Sequence, residues 1–210
     1  MEQFVMSFYN QHVMPSLINC LCGMSEVTDQ RRKVVPQAEG LVVEIGIGSG
    51  HNLPHYDAGK VTKVIGIDPD EQMWKAGRDR VRQSAVPVER VALSGEQIPL
   101  DRHSADTVLV TYSLCTIPDA VAALQEMRRI LKPGGRLLFL EHGAAPEESV
   151  RKWQGRIDPI WKRIAGGCHS GRPIPKLLEQ AGWKIDKMEE GYIKGPKPLA
   201  YNYLGSAVAT

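Results

Sequence analysis

Residues 42–50 read VVEIGIGSG: an apolar, β-branched run reaches Glu44 and passes into three alternating glycines, Gly46, Gly48 and Gly50. Glycine at alternate positions after a strand marks a tight turn whose backbone closes on a ligand. A dinucleotide fingerprint would place its third glycine at position 51, which is His51. No G-x-x-x-x-G-K-[ST] stretch occurs either, so a nucleoside triphosphate loop is not expected. The plain alternative is a strand-to-helix turn with no ligand. Three alternate glycines directly after an acidic strand end speak against it.

Working outward, short apolar runs alternate with helical patterns. Residues 41–46, 63–68, 88–93, 106–112 and 135–142 read as strands; 70–84 and 119–132 carry amphipathic helical spacing, the second stopped by Pro133-Gly134-Gly135. This alternation predicts a parallel sheet covered on both faces. Residues 147–166 read as a helix, broken or kinked at Asp158-Pro159. Another helix follows Pro175, and two closing strands flank a turn at Gly195-Pro196. Upstream, 3–22 is helical with an interruption at Pro15, and a short helix covers 25–35 before Pro36.

The chain of 210 residues suits one domain with a helical extension. A net charge of +2 and no basic strip interleaved with aromatics argue against a nucleic-acid partner. No run is long and apolar enough to span a bilayer, and MEQFVMSFYN has no basic residue to begin a signal peptide. Cys20, Cys22, Cys115 and Cys168 lack paired C-x-x-C spacing, so a reducing cytoplasm is the expected compartment and no disulfide scaffold is expected. Cys168-His169 offers two ligands in sequence, too few for a metal, and none is predicted.

The second strand ends in Asp68. An acidic residue there binds a ribose diol in doubly wound folds, although Asp68-Pro69-Asp70 also suits a helix start. A ribose with no phosphate loop points to an adenosyl ligand.

With Glu44-x-Gly46-x-Gly48-x-Gly50, then Asp68, SGEQIPL (94–100), LCTIPD (114–119) and RRILKPGGRLLFLEH (128–142) in order, residues 40–142 resemble a class I S-adenosylmethionine-dependent methyltransferase. The resemblance implies an α/β, Rossmann-like, seven-stranded, mostly parallel sheet with a C-terminal antiparallel hairpin, residues 39–210, and an N-terminal helical lid, residues 1–38. It implies S-adenosylmethionine as cofactor and S-adenosylhomocysteine as product. The cofactor residues it implies are Tyr9 on the lid; Glu44, Gly46, Ile47, Gly48, Gly50, Asn52 and Leu53 around the glycine turn; Asp68, Pro69 and Met73 at the ribose; Gly95, Glu96 and Gln97 along the adenine; and Thr111, Ser113 and Leu114 beside the methyl group. Many members carry Asp at the position of Ser94.

LCTIPD, LEHGAAP, WQGRIDPIWKRIAGGC and the late GP…Y…G pattern further resemble the animal alkyl-thiol S-methyltransferases and bacterial ubiquinone/menaquinone-type methyltransferases. The animal proteins carry a hydrophobic membrane anchor; here that place holds a short amphipathic stretch. The resemblance implies a small-molecule acceptor, most plausibly the sulfur of a small or lipophilic thiol. Tyr9, His12, Cys115, His142, Trp161 and Cys168 are the candidate residues to meet it, with packing as the alternative for Cys115 and Trp161 and an ordinary surface helix as the alternative for Tyr9 and His12. His142, at a strand C-terminus, is the candidate base, with a purely structural bond to loop backbone as the alternative. Two other readings stand beside the thiol. One is N- or C-methylation of a phospholipid head group or quinone, favoured by the basic residues Arg151, Lys152, Arg156, Lys162 and Arg163 and by the stripe Phe4, Val5, Phe8, which also suit weak association with a membrane surface. The other is a non-catalytic module that binds the cofactor. No obligate protein partner is expected.

Overall fold

The computed structural model describes residues 13–210. Tyr9, His12 and the stripe Phe4, Val5, Phe8 lie outside the described residues.

Seven strands form one sheet: β1 (Gly40–Ile45), β2 (Val61–Ile67), β3 (Val88–Val91), β4 (Ala105–Thr111), β5 (Leu131–His142), β6 (Trp183–Tyr192) and β7 (Tyr201–Ala209), in the order β3-β2-β1-β4-β5-β7-β6. The first five run parallel; β7 pairs antiparallel with both β5 and β6. This is a Rossmann-like sheet, mostly parallel with a C-terminal antiparallel pair, as the resemblance implied. The strand order reverses between β1 and β4, so the crevice of a doubly wound sheet opens at their C-terminal ends.

The strands alternate strictly between two cores. Val43, Ile45, Val108, Val110, Leu137 and Phe139 pack against α5 (Ala120–Ile130) and α7 (Ile174–Gln180); Val42, Leu109, Leu138 and Leu140 face Val34, Val35 and Tyr56. Both faces are dry, which is why the strands read as continuous apolar runs. Each fully buried large side chain contributes about 1.5–3 kcal/mol.

Two helices precede the sheet: α1 (Met14–Cys22), with Pro15 in its first turn, and α2 (Ser25–Val34). The single helix expected over 70–84 is two, α3 (Glu71–Ala76) and α4 (Arg78–Arg82). Gly77 divides them where the chain presses on the glycine turn: a Cβ there would lie 2.5 Å from the Ser49 carbonyl oxygen. The break expected at Asp158-Pro159 does not occur, because α6 runs unbroken over Glu148–Ile164. Pro159 removes one N–H, and the carbonyl it would have served, on exposed Gly155, can turn to water. A last short helix, α8 (Lys197–Ala200), leads into β7.

Candidate active site

The glycine turn is built by backbone geometry that only glycine adopts cheaply. Gly46, Gly48 and Gly50 have φ of 72°, 51° and 72°. At Gly46 a Cβ would stand 2.0 Å from Ser113 Oγ, so the turn seats directly against the end of β4. Gly48 donates its N–H to Asp68 Oδ2 at 2.7 Å, and Asp70 N–H donates to Asp68 Oδ1 at 2.7 Å. Each carboxylate oxygen keeps further acceptor capacity. Burial raises the Asp68 pKa, and the two backbone N–H bonds oppose that rise. The helix cap is Asp70, which accepts from Gln72 and Met73, so Asp68 is not occupied in that role.

Beneath the turn lies a buried polar network. Arg31, from α2, donates through Nη1 to Asn52 Oδ1 at 2.7 Å and to Thr111 Oγ1 at 2.8 Å. Asn52 Nδ2 donates to Glu44 Oε1 at 2.8 Å and Tyr56 Oη to Glu44 Oε2 at 2.6 Å. Burial raises the Glu44 pKa to about 7 against the pull of the Tyr56 and Asn52 hydrogen bonds. Arg31 Nε is buried without a partner. Above Arg31 lies the Tyr112 ring, 5.3 Å from the guanidinium carbon. Tyr112 has a left-handed backbone, φ 51°, and its Oη donates to Asn202 Oδ1 at 2.7 Å. Strain of this kind costs roughly 1–3 kcal/mol and concentrates at functional sites.

These elements enclose a cavity of about 320 Å³ at the β1–β4 crevice. Of the cofactor residues expected from sequence, Glu44, Gly46, Ile47, Gly48, Asp68, Pro69, Met73, Gly95, Thr111 and Ser113 line it. Gly50, Asn52, Leu53, Glu96, Gln97 and Leu114 stand outside its wall: Asn52 serves the network below, Leu53 and Leu114 are core, and Glu96 accepts from Ser94 Oγ and Asp119 N–H. Residues not expected also line it, among them Arg31, Ile117 and, from α1, Met14, Ile18 and Cys22; Tyr112, between the expected Thr111 and Ser113, lines it too. Asn19 holds α1 there, accepting from Ser49 Oγ at 2.7 Å and lying 2.9 Å from His51 Nε2.

The residues fit an adenosyl sulfonium amino acid. Asp68 offers a carboxylate for two ribose hydroxyls, Ile67, Met73 and Ile117 offer apolar surface for a base, and the orphaned Arg31 Nε is a cation with donor capacity to spare for an α-carboxylate.

A second cavity, about 480 Å³ and mostly apolar, adjoins the first; Ile18, Cys22, Tyr112 and Thr116 line both. Cys115, His142, Trp161 and Cys168, all expected at the acceptor, line it together. Cys168 Sγ is 3.1 Å from His142 Nε2, and Trp161 Nε1 donates to the same sulfur at 3.3 Å. The hydrogen bond from Cys115 and the nearby His142 ring hold the Cys168 thiol well below its ordinary pKa, while Cys115 is pushed up. Trp153, the other tryptophan of α6, is exposed and stacks with Arg156. Two residues that position this end carry no sequence signal of their own. Glu141 is wholly buried and accepts N–H bonds from Ser113 and Leu114; Asp158 accepts from Ser170 N–H at 2.9 Å and so anchors the loop bearing Cys168.

The sequence pattern of the methyltransferase domain family matches residues 43–139. The chain is 32% identical over 192 residues to thiol S-methyltransferase TMT1B of Homo sapiens, covering 86% of this chain and 76% of that protein. It is 34% identical over 155 residues to TMT1B of Rattus norvegicus, covering 72% of this chain and 63% of the relative. A solved SAM-dependent methyltransferase from Aquifex aeolicus has the same fold, with a TM-score of 0.64 at 17% identity, over 93% of this chain and 98% of that one. The chain belongs to the S-adenosylmethionine-dependent methyltransferases. It is an enzyme whose cofactor is S-adenosylmethionine.

Proposed function

We propose that this methyltransferase transfers its methyl group to the sulfur of a small or lipophilic thiol. The observation that carries the reading is the apolar second cavity, which abuts the cofactor cavity at Tyr112 and Thr116 and ends in Cys115, His142 and Cys168. The relatives named as thiol S-methyltransferases support it. A phospholipid head group is a poorer match. Among the described residues, the charged or ionisable ones of the lining, apart from His142 and besides cysteine and tyrosine, are Glu26 and Lys194, and none of them is an arginine that could face a phosphate.

S-adenosylmethionine, when bound, supplies a methyl group on a sulfonium sulfur that departs readily. The chain's residues then have three tasks. Asp68 and Arg31, at the wall of the first cavity, would hold the ribose and the carboxylate of the cofactor and so align its methyl group for attack. Ile18 and Cys22 of α1 cover both cavities, Met14 covers the first, and together they exclude water; residues 13–38 thus act as a lid. The apolar lining orders the acceptor's tail and leaves its sulfur at the polar end. Among the described residues no helix is long and apolar enough to cross a membrane. The four cysteines are free, which suits a reducing, cytoplasmic setting.

A chain-length series of alkyl thiols tests this assignment. Each added CH2 buried in the cavity contributes about 0.8 kcal/mol, so KM falls about fourfold per CH2 until the cavity is full. Ala165→Trp, which fills the cavity, raises KM for the long thiols and leaves the cofactor's KM alone. A KM independent of chain length overturns the assignment.

A further inference from the structure

Cys115, His142 and Cys168 come from three separate places: the turn after β4, the end of β5 and the loop after α6. One ligand atom from each lies within 4.8 Å of the other two. The fold fixes this meeting firmly. His169 N–H donates to the Cys115 carbonyl at 2.9 Å, so the two cysteine-bearing loops are bonded to each other. Arg172 donates to the carbonyls of Leu114 and Ile117 and holds the Cys115 turn from both sides. The His142 ring stacks at 6.2 Å on Tyr112.

We propose that Cys115, His142 and Cys168 bind a zinc ion whose fourth coordination position opens into the acceptor cavity and takes the acceptor's sulfur. The proposal rests on the thiol reading of that cavity and deepens it. Two thiolates and an imidazole, with no carboxylate among them, are the donors of zinc rather than of magnesium or calcium. Zn–S bonds of about 2.3 Å and Zn–N bonds of about 2.0–2.1 Å set tetrahedral ligand spacings of roughly 3.5–3.8 Å. The trio reaches these with side-chain adjustments of about an ångström. Three protein ligands and one vacant direction is the pattern of a catalytic rather than a structural zinc. All three residues line the cavity, so the vacant direction faces the acceptor. Trp161 Nε1–H, on Cys168 Sγ at 3.3 Å, is the kind of outer hydrogen bond that steadies a coordinated thiolate. Without an ion, two thiols and an imidazole sit in an apolar wall bonded only to one another and to a few neighbours, with His142 Nδ1 buried and unpartnered.

The site answers a chemical need. The acceptor thiol binds as a thiolate, its S–H proton leaving to solvent as the sulfur–zinc contact forms. A sulfur lone pair then makes the new bond to the methyl carbon, and the electrons of the broken carbon–sulfonium bond remain on the sulfur of the departing S-adenosylhomocysteine. The product is a neutral thioether, a weak zinc ligand, and it leaves.

The test titrates the full chain, stripped with chelator and kept reduced, with Co2+ as a visible stand-in for Zn2+. The expected result is one equivalent bound, a thiolate-to-cobalt charge-transfer band, tetrahedral visible bands, and displacement by Zn2+. Octanethiol changes the visible bands and its methyl thioether does not. Cys115→Ser and Cys168→Ser each weaken Co2+ binding at least about a hundredfold while staying folded by circular dichroism, and the exposed Cys20→Ser binds as the parent does. If a serine variant does not fold, the parent's cobalt spectrum alone decides. Absence of Co2+ and Zn2+ binding by the parent, a spectrum without thiolate character, or bands indifferent to octanethiol overturns the proposal. Thiol methylation by metal-free enzyme at full rate also overturns it and leaves the thiol reading standing. Cobalt bound with the expected spectrum, but no thiol ever methylated, overturns the thiol reading instead.

Discussion

Gly48 donates its backbone N–H to Asp68 Oδ2 at 2.7 Å, so the glycine turn and the carboxylate at the end of β2 form one unit. The bond fixes the carboxylate in place and leaves it acceptor capacity for two ribose hydroxyls. Asp68→Asn sets an amide where two acceptor oxygens stood. Hydrogen bonds to a charged group contribute about 1.5–3 kcal/mol, so cofactor affinity falls roughly 10- to 100-fold by calorimetry. Unchanged affinity removes Asp68 from the site.

Arg31 is a more discriminating case. Its Nη1 is used by Asn52 and Thr111, and its buried Nε has no partner. Arg31→Lys keeps the charge and loses the fork. Affinity for S-adenosylhomocysteine drops about tenfold or more, while methylthioadenosine, which has no carboxylate, binds within about twofold of the parent. An equal loss for both ligands means that Arg31 only supports the turn.

Gly46→Ala tests the seating of the turn. The new Cβ would lie 2.0 Å from Ser113 Oγ at a φ of 72°. Strain and displacement together cost roughly 2–4 kcal/mol, a fall in Tm of at least about 4 °C. A melt that does not move contradicts the geometry.

Glu44 makes stability depend on pH. Its pKa stands at about 7 in the folded chain because of burial, against 4.5 ordinarily. Between these values the unfolded chain has lost the proton and the folded chain keeps it. The contribution is therefore fully present below about 4.5 and is lost as pH rises through 7, a change of about 3 kcal/mol. Glu44→Gln flattens that part of the profile, measured by urea unfolding of the cofactor-free chain at pH 5, 6 and 7. A profile identical to the parent's contradicts the burial argument.

The sheet was legible because both its faces are dry and its strands are unbroken apolar runs; the glycine turn and Asp68 were legible because they are contiguous in sequence. Arg31 was not, since an arginine in SEVTDQRRKV looks like any solvated helical charge until α2 packs over β4. The left-handed backbone of Tyr112 was not legible, because it is a property of the folded turn. Pro159 misled because a helix with an exposed carbonyl four residues back tolerates proline. Cysteine spacing argued against a metal, since only tertiary contact brings Cys115 and His142 to Cys168. Cys115, His142, Trp161 and Cys168 were picked out singly from the sequence, and all four line one cavity.

The most direct test of the account is a transfer assay with methyl-labelled S-adenosylmethionine, offered octanethiol, a quinol precursor and phosphatidylethanolamine side by side, with the product identified by mass. The account predicts label on the sulfur of octanethiol and none on the other two. Label on the quinol or the lipid, with the thiol untouched, contradicts it.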